Sequence, residues 1–506
     1  MRISLKLAMQ PRTYQDALAA LNSLQTNYAA IKAVKDSGNK NNQMALLDMK
    51  EWPRRIGYSV SDFNRLNVVH ITGTKGKGST AAFTSSILGQ YKDQLPKVGL
   101  YTSPHLKSVR ERIRINGSPI SEELFTKYFF QVWNRLDDST STLNEFPHML
   151  PGTKPAYFKF LTLLSFHVFM QENCNCCIYE VGVGGELDST NIIEKPVACG
   201  ISLIGIDHTF ILGNTIEEIS WNKGGILKPS VPGFTVENQS PESIKVLKER
   251  AAEKNTTIDQ IPNFNIIKKI KLGIAGDFQL SNASLATALA SQALNSLKII
   301  DNPIDYKDSN AELPNKFLIG LENTNWPGRC QTLLEGNKKW YIDGAHTKDS
   351  MVAASTWFKK TILNEPILKD SKKILLFNQQ SRDANALIDH LIETITPDIH
   401  FDDVIFTTNV TWKSGNYSAD LVSLNTSKES VDKLEVQKSL AKHWKNLSPS
   451  TNTNSTNIHV THSIQDAYEI IEKLSSKPVS IFVTGSLHLA GGLLVVLEDS
   501  PNNTQE

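Results

Sequence analysis

Cysteine is scarce in this sequence, and what there is does not pair. The 506 residues hold five cysteines, Cys174, Cys176, Cys177, Cys199 and Cys330. An odd number at low density excludes a disulfide framework and points to a reducing compartment. The cluster Cys174-x-Cys176-Cys177 has no second pair to complete a zinc site, so it reads as small apolar residues leading into a buried strand. No run approaches ~18 consecutive apolar residues, which excludes a transmembrane helix. An excess of either charge is also missing. Lys plus Arg number 53 and Asp plus Glu 52, a formal net charge of +1. That balance speaks against a chain dominated by nucleic acid or anionic membrane. The apolar core of a secretory signal is absent from the N-terminus. Met1 to Arg12 carry three basic residues, and no acid precedes Asp16. This fits a short mitochondrial presequence, with Met9 as a second start.

What is present is a globular composition, 40% apolar and 21% charged. From residue 67 onward β-type runs alternate with helical ones. Asn67–Thr72, Val98–Ser103, Cys177–Val181 and Val197–Ile204 read as strands. Ser79–Tyr91, Glu122–Leu136 and Ala156–Met170 read as helices between them. The alternation predicts a mostly parallel sheet covered by helices. It weakens between about 230 and 320, and the polar, irregular stretch Lys298–Pro314 reads as a boundary. A second series follows, with strands at Trp340–Asp343, Lys373–Phe377, Val404–Thr407, Ile458–Val460 and Val479–Val483. Its helices fall near 350–360, 383–394, 431–445 and 463–474. The Ser/Thr/Asn-rich stretch Ser448–Asn457 reads as a surface loop. The expected architecture is α/β in two parts: a domain with a mostly parallel sheet over 1–320 and a second doubly wound α/β domain over 321–506.

The sharpest local signal is Gly73-Thr74-Lys75-Gly76-Lys77-Gly78-Ser79-Thr80. It follows a strand and opens a helix, the context of a phosphate loop. Its glycines let successive N–H groups turn toward an anion, and the helix N-terminus adds partial positive charge. Lys77 supplies a full charge for the β- and γ-phosphates. Glu180 ends an apolar strand beside that loop, where the Mg²⁺ of a nucleotide is usually held. By loop logic alone the hydroxyl of Ser79 belongs on the same ion.

Gly78 between Lys77 and Ser79 departs from the usual G-x-x-x-x-G-K-[ST]. In this form the loop resembles that of the Mur ligase superfamily, and within it the folylpolyglutamate synthases. Tyr101-Thr-Ser-Pro-His-Leu106, running on to Val109-Arg-Glu-Arg112, is similar to that family's mobile substrate loop. Glu180-Val-Gly-Val-Gly-Gly-Glu-Leu-Asp-Ser-Thr-Asn191 resembles its acidic metal segment. Asp207-His208, Leu212-Gly213, Thr215 and Lys223-x-x-Ile226 match the next block. Trp326-Pro-Gly-Arg329 and Asp343-Gly-Ala-His346 match the start of its C-terminal domain. Tyr157-Phe158-x-Phe160 resembles the eukaryotic branch. The blocks run in order across residues 13 to 492.

The resemblance implies a ligase that adds L-glutamate in γ-linkage to tetrahydrofolyl-(poly)glutamate through an acyl phosphate, giving ADP and phosphate. It makes Lys77, Glu180, His208 and Lys223 the catalytic set. It gives Ser103, Glu180, His208 and an N-carbamylated Lys223 to two Mg²⁺ ions, and it admits a monovalent cation. An ordinary ammonium would be repelled by Mg²⁺, and the carbamate replaces it with an anionic oxygen. Gly73 through Ser79, Asn282, Arg329, Asp343 and His346 fall to ATP. Ser103, Pro104 and His105 form the substrate loop. ATP, tetrahydrofolate and glutamate are the expected partners of a monomer in cytoplasm and mitochondrion. The near rival is a dihydrofolate synthase, which adds glutamate to dihydropteroate by the same chemistry. A P-loop ATPase acting on a protein, or a nucleotide-binding regulator, needs no carboxylate–amine pair. Ser486 and His488 read equally as site residues and as a helix cap.

Overall fold

The computed structural model describes residues 12–25, 44–365, 368, 371–380, 383–415, 420, 431–447 and 456–499. Met1 and Met9, and most of the stretch Ser448–Asn457, lie outside them. The first sheet has eight strands: β1 (Val68–Thr72), β2 (Val98–Tyr101), β3 (Ile113–Ile115), β4 (Ser118–Pro119), β5 (Cys176–Glu180), β6 (Ala198–Ile201), β7 (Gly233–Val236) and β8 (Ile258–Ile261). Their order is β4-β3-β2-β5-β1-β6-β7-β8, with β1 between β5 and β6. Every pairing is parallel except those of the β2–β3–β4 hairpin edge.

Alternation along β1 decides which helices cover which face. Val69 and Ile71 pack into one core with α3 (Lys77–Leu88), α9 (Gln279–Ser296) and α10 (Asn315–Glu322). Val68 faces the other core, built with α1 (Tyr14–Asn22), α2 (Met44–Arg55), α4 (Glu122–Asp138) and α5 (Tyr157–Gln171). The short α6 (Thr209–Leu212), α7 (Ile216–Gly224) and α8 (Pro241–Glu253) complete this part.

The weak pattern after residue 230 hides regular structure. β7 and β8 are only four residues each. The Ala- and Ser-rich α9 is buried on nearly every side, so it shows no polar face. The expected boundary at 298–314 is not one: Ile304 and Leu313 are buried in the same core as α9 and α10.

The second sheet has six strands: β9 (Gln331–Glu335), β10 (Lys338–Ile342), β11 (Lys372–Phe377), β12 (Asp403–Phe406), β13 (Asn457–Val460) and β14 (Val479–Thr484). Their order is β13-β12-β11-β14-β10-β9, and only β9 runs antiparallel. One face carries α11 (Lys348–Asn364), α12 (Ala384–Ile395) and α13 (Glu435–Asn446). The other carries α14 (Ile464–Leu474) and α15 (Leu487–Glu498). Among the described residues no helix is long and apolar enough to cross a membrane.

At the start of β12, Asp403 is 1% exposed, forms an ion pair with Lys372 Nζ (2.8 Å) and accepts a hydrogen bond from His459 Nε2 (2.8 Å). Burial pushes its carboxyl up, but the bonds from Lys372 and His459 outweigh it and hold it below its ordinary value. A lowered folded pKa gives stability that is complete above the unfolded value of ~3.9 and is lost as pH falls through the folded one. Asp403→Ala is therefore expected to lower the melting temperature at neutral pH. The gap to the parent should close as the pH is taken well below 4. Melting curves across that range check it, and a gap independent of pH would remove the ion pair as its cause.

Candidate active site

Parallel sheets present loops and helix N-termini at the C-terminal ends of their strands, and there the two domains enclose a cleft of about 600 Å³. β1 ends at Thr72 and the chain turns through the glycine loop into α3. Gly76 caps that helix at φ +88°, in the left-handed region, and a Cβ there would lie 2.1 Å from Asn282 Oδ1. Only glycine fits. The loop backbone is braced from β6: Thr74 N–H and Lys75 N–H donate to the Leu203 carbonyl (2.9 and 3.0 Å), and Ser202 Oγ donates to the Lys75 carbonyl (2.7 Å). Thr74 and Lys75 therefore spend their N–H groups on Leu203 rather than on an anion, and the turn into α3 is fixed before any ligand arrives.

Gly76→Ala tests this. An L-residue in the left-handed region loses roughly 1–2 kcal/mol, and the displaced Asn282 disturbs the loop further. ADP affinity measured by calorimetry should fall about tenfold or more. Unchanged affinity would show that the loop does not shape the nucleotide site.

Thr74 to Ser79, Ser103, Pro104, Glu180, His208, Asn282, Arg329, Asp343 and His346 all line the cleft. Lys77 Nζ donates to the Gly73 carbonyl at 3.1 Å. Lys223, in the last turn of α7, donates to the same carbonyl at 2.7 Å from behind the loop. Lys223 is 3% exposed. Burial drives its pKa well below the ordinary lysine range, and Lys77 and Lys75 push the same way against Asp207 and Asp188. Its amine is therefore biased toward the neutral form.

Glu180 is 4% exposed and accepts the Ser103 N–H at 2.9 Å through Oε2. Burial raises its pKa, while Lys77, that N–H, Arg329 and Arg112 oppose the rise. His208 sits at φ +51° as the N-cap of α6, and its N–H donates to Asp207 Oδ1 at 2.8 Å. Asp207 in turn lies 3.6 Å from Lys75 Nζ. Ser79 Oγ accepts from Gln279 Nε2 at 3.2 Å.

The loop carrying Ser103, Pro104 and His105 is gripped by both domains. His105 Nδ1 accepts from Arg112 Nε (2.9 Å), and its Nε2 donates to the Asp420 carbonyl (2.8 Å). Burial, then Arg112, holds this imidazole well below its usual pKa, so it stays neutral. The Asp420 carboxylate accepts from Val109 N–H (2.8 Å) and the Tyr14 hydroxyl (2.9 Å). Leu106 is buried in the α14–α15 core of the second domain. His105 faces a smaller cavity beside the main cleft, with Glu111, Arg114 and Trp326.

From the second domain, Asp343 follows β10 and accepts the Cys330 N–H at 2.8 Å. Burial raises its pKa and Arg329 opposes the rise. His346 Nδ1 donates to the Gly344 carbonyl at 2.9 Å. Ser486 caps α15 through bonds to the N–H groups of His488 (3.1 Å) and Leu489 (3.4 Å), which gives it a structural role.

Several cleft residues had no separate signal in the sequence. Phe278, Ser281, Ala353 and Ala354 line one flank, between the starts of α9 and α11. Phe158, Asp188 and Arg112, each inside a block the sequence had already marked, also line the cleft. The Phe158 ring fits because position 182 is glycine: a Cβ there would lie 2.4 Å from Phe158 Cζ.

Mg²⁺ is usually held by one or two carboxylates with water and substrate phosphates. The buried Glu180 beside the phosphate loop fits that. Among the described residues, no three His, Cys, Asp or Glu side chains come together as a metal cage. An all-protein cage is not what this site offers.

A phosphate loop facing a buried strand-end carboxylate, across a cleft from a second α/β domain, defines a two-domain nucleotide-using enzyme. Solved structures share the architecture. Mycobacterium tuberculosis folylpolyglutamate synthase complexed with ADP superposes over 96% of this chain and 100% of its own, at 19% identity and a TM-score of 0.67. E. coli FolC in complex with DHPP and ADP covers 96% and 98%, at 20% identity and a TM-score of 0.64. At such identities the likeness concerns fold. Residues 329–496 match the family described as dihydrofolate synthetase, C-terminal domain. A folylpolyglutamate synthase of Saccharomyces cerevisiae strain FostersO is 66% identical over 97% of this chain and 88% of its own length. That of strain FostersB is 65% identical over the same shares. The chain belongs to the folylpolyglutamate synthase family.

Proposed function

We propose that this chain is an ATP-dependent ligase that adds L-glutamate, in γ-linkage, to tetrahydrofolyl-(poly)glutamate. The observation that carries the reading is near-full-length identity to the yeast folylpolyglutamate synthases, with the phosphate loop and Glu180 opening into one interdomain cleft. A carboxylate is a poor electrophile and needs activation. Its oxygen attacks the γ-phosphorus of ATP, the bond to the bridging oxygen breaks, and acyl phosphate and ADP result. The glutamate amine then attacks the acyl carbon, the C–O bond to phosphate breaks, and the amine gives up a proton. Catalysis is positioning and charge neutralisation.

Lys77 and Arg329 converge on the cleft from opposite domains, suited to the phosphates as charge spreads over them. Asn282 and Phe278 on one side, with Asp343 and His346 on the other, suit the nucleoside. Phe158 and Asp188 suit the flat, N–H-bearing ring of the acceptor. The Ser103–His105 loop, gripped by both domains, couples acceptor binding to domain closure.

Two Mg²⁺ ions would be held by Ser103, Glu180, His208 and a carbamylated Lys223, and would neutralise the phosphates. A neutral, buried amine is the form that reacts with CO₂, which supports Lys223 in that role. Ser79 remains the alternative hydroxyl. A monovalent cation beside this set, monomeric state, and cytoplasmic and mitochondrial forms from Met1 and Met9 belong to the same proposal. Shared location of forms started at either methionine alone would remove the last of these.

The domain match to dihydrofolate synthetase keeps a second acceptor in play. Purified protein with Mg-ATP and labelled glutamate, offered tetrahydrofolate monoglutamate and dihydropteroate in parallel, separates them. Incorporation with the folate alone is expected. Incorporation with dihydropteroate alone would make the chain a dihydrofolate synthase.

A further inference from the structure

Behind the cleft wall lies a buried histidine that the chemistry above does not use. His70 is in the middle of β1, and its side chain shares a face with Thr72 rather than with Val69 and Ile71. It is 0% exposed, and its Nε2 lies 2.8 Å from Thr190 Oγ1. Thr190 is also 0% exposed and donates its hydroxyl to Asp188 Oδ1 at 2.7 Å. Backbone N–H groups of Thr190 and Val183 reach the two oxygens of the same carboxylate at 2.9 and 3.1 Å. Asp188 lines the cleft.

The direction of this chain follows from donor and acceptor counting. An ionised carboxylate only accepts, so the Thr190 hydroxyl spends its proton on Asp188. Its oxygen must then accept from His70, which places the imidazole proton on Nε2. Burial, helped by Lys228, lowers the His70 pKa to about 3, so the ring is neutral and has one proton to give. Nδ1 is left as a bare acceptor, and it is among the buried atoms with no hydrogen-bond partner. A buried orphan is unfavourable. The same ring, through Thr190, fixes Asp188.

We propose that His70 and Thr190 are positioning residues for acceptor recognition: through Asp188 they hold one carboxylate orientation in the cleft, and that carboxylate accepts an N–H of the folate acceptor. A carboxylate meets nucleotide phosphates through a metal ion, and Glu180, which accepts the Ser103 N–H beside the phosphate loop, is the carboxylate placed for that. Asp188 accepts the Val183 N–H, next to Gly182, against which the Phe158 ring packs. The inference rests on the ligase reading above.

The test uses the full-length enzyme and the KM of each substrate. His70→Leu and Thr190→Val remove a donor each. The KM for tetrahydrofolate should rise about tenfold, the equivalent of one hydrogen bond, with kcat and the KM for ATP little changed. The double variant should be no worse than either single one, since both break the same chain. Thr190→Ser and His70→Gln keep a donor and should restore most of the loss. If His70→Leu fails to fold, the Thr190→Val and Thr190→Ser pair decides alone. An unmoved folate KM in folded variants, or equal rises for folate and ATP, would overturn the relay while leaving the ligase reading intact. A parent enzyme that incorporates no glutamate would instead remove the ligase reading.

Discussion

Lys77→Ala is expected to lower ATP-dependent glutamate ligation by about 10³-fold with the fold preserved. The side chain lines the cleft at the first residue of α3, where the helix N-terminus already favours anions. Loop N–H groups can cradle phosphate, but they bring only partial charges. Lys77 is the full charge that also bears on the buried Glu180. Removing it is expected to weaken nucleotide binding and to take one cation away from the transferring phosphoryl group. Steady-state kinetics, with circular dichroism as the control for folding, reads both effects. Activity within about tenfold of the parent would place the phosphate site elsewhere.

Lys223→Ala should be almost as damaging, by about 10²-fold or more. The reason differs. Lys223 is held at Gly73 by a 2.7 Å hydrogen bond and is too buried to carry its charge easily. A neutral amine adds CO₂ by forming an N–C bond and losing a proton, which yields an anionic oxygen. Acetate or formate can supply such an oxygen in the space that alanine leaves. Partial rescue by either acid, absent in the parent, is the expected signature. A fully active Lys223→Ala enzyme without additive would remove both the carbamate and the metal role.

Much of this site was legible in the sequence because its chemistry is local. The run from β1 through the glycine loop into α3 declares itself by a β-branched strand, glycines at the turn and a lysine in register. Glu180 at the end of β5 and Asp343 at the end of β10 are legible for a similar reason, since strand ends are marked by adjoining glycines. Elsewhere the sequence says less than the fold contains. α9 is buried all round and so has no amphipathic stripe. β9 is an antiparallel edge strand, Gln-Thr-Leu-Leu-Glu, with little β-branched character. The Phe278–Ala354 flank joins residues from two domains, and no spacing rule links them. His70 is the clearest case. A histidine inside an apolar strand reads as an ordinary core residue, and only the positions of Thr190 and Asp188 show which way its proton points.

The ligase account turns on an acyl phosphate, and oxygen transfer measures that directly. Tetrahydrofolyl monoglutamate labelled with ¹⁸O in its γ-carboxylate would be turned over with Mg-ATP and glutamate. The account predicts that each phosphate released carries one oxygen from that carboxylate, in step with amide formation. Phosphate released without the label, while the amide forms, would contradict it.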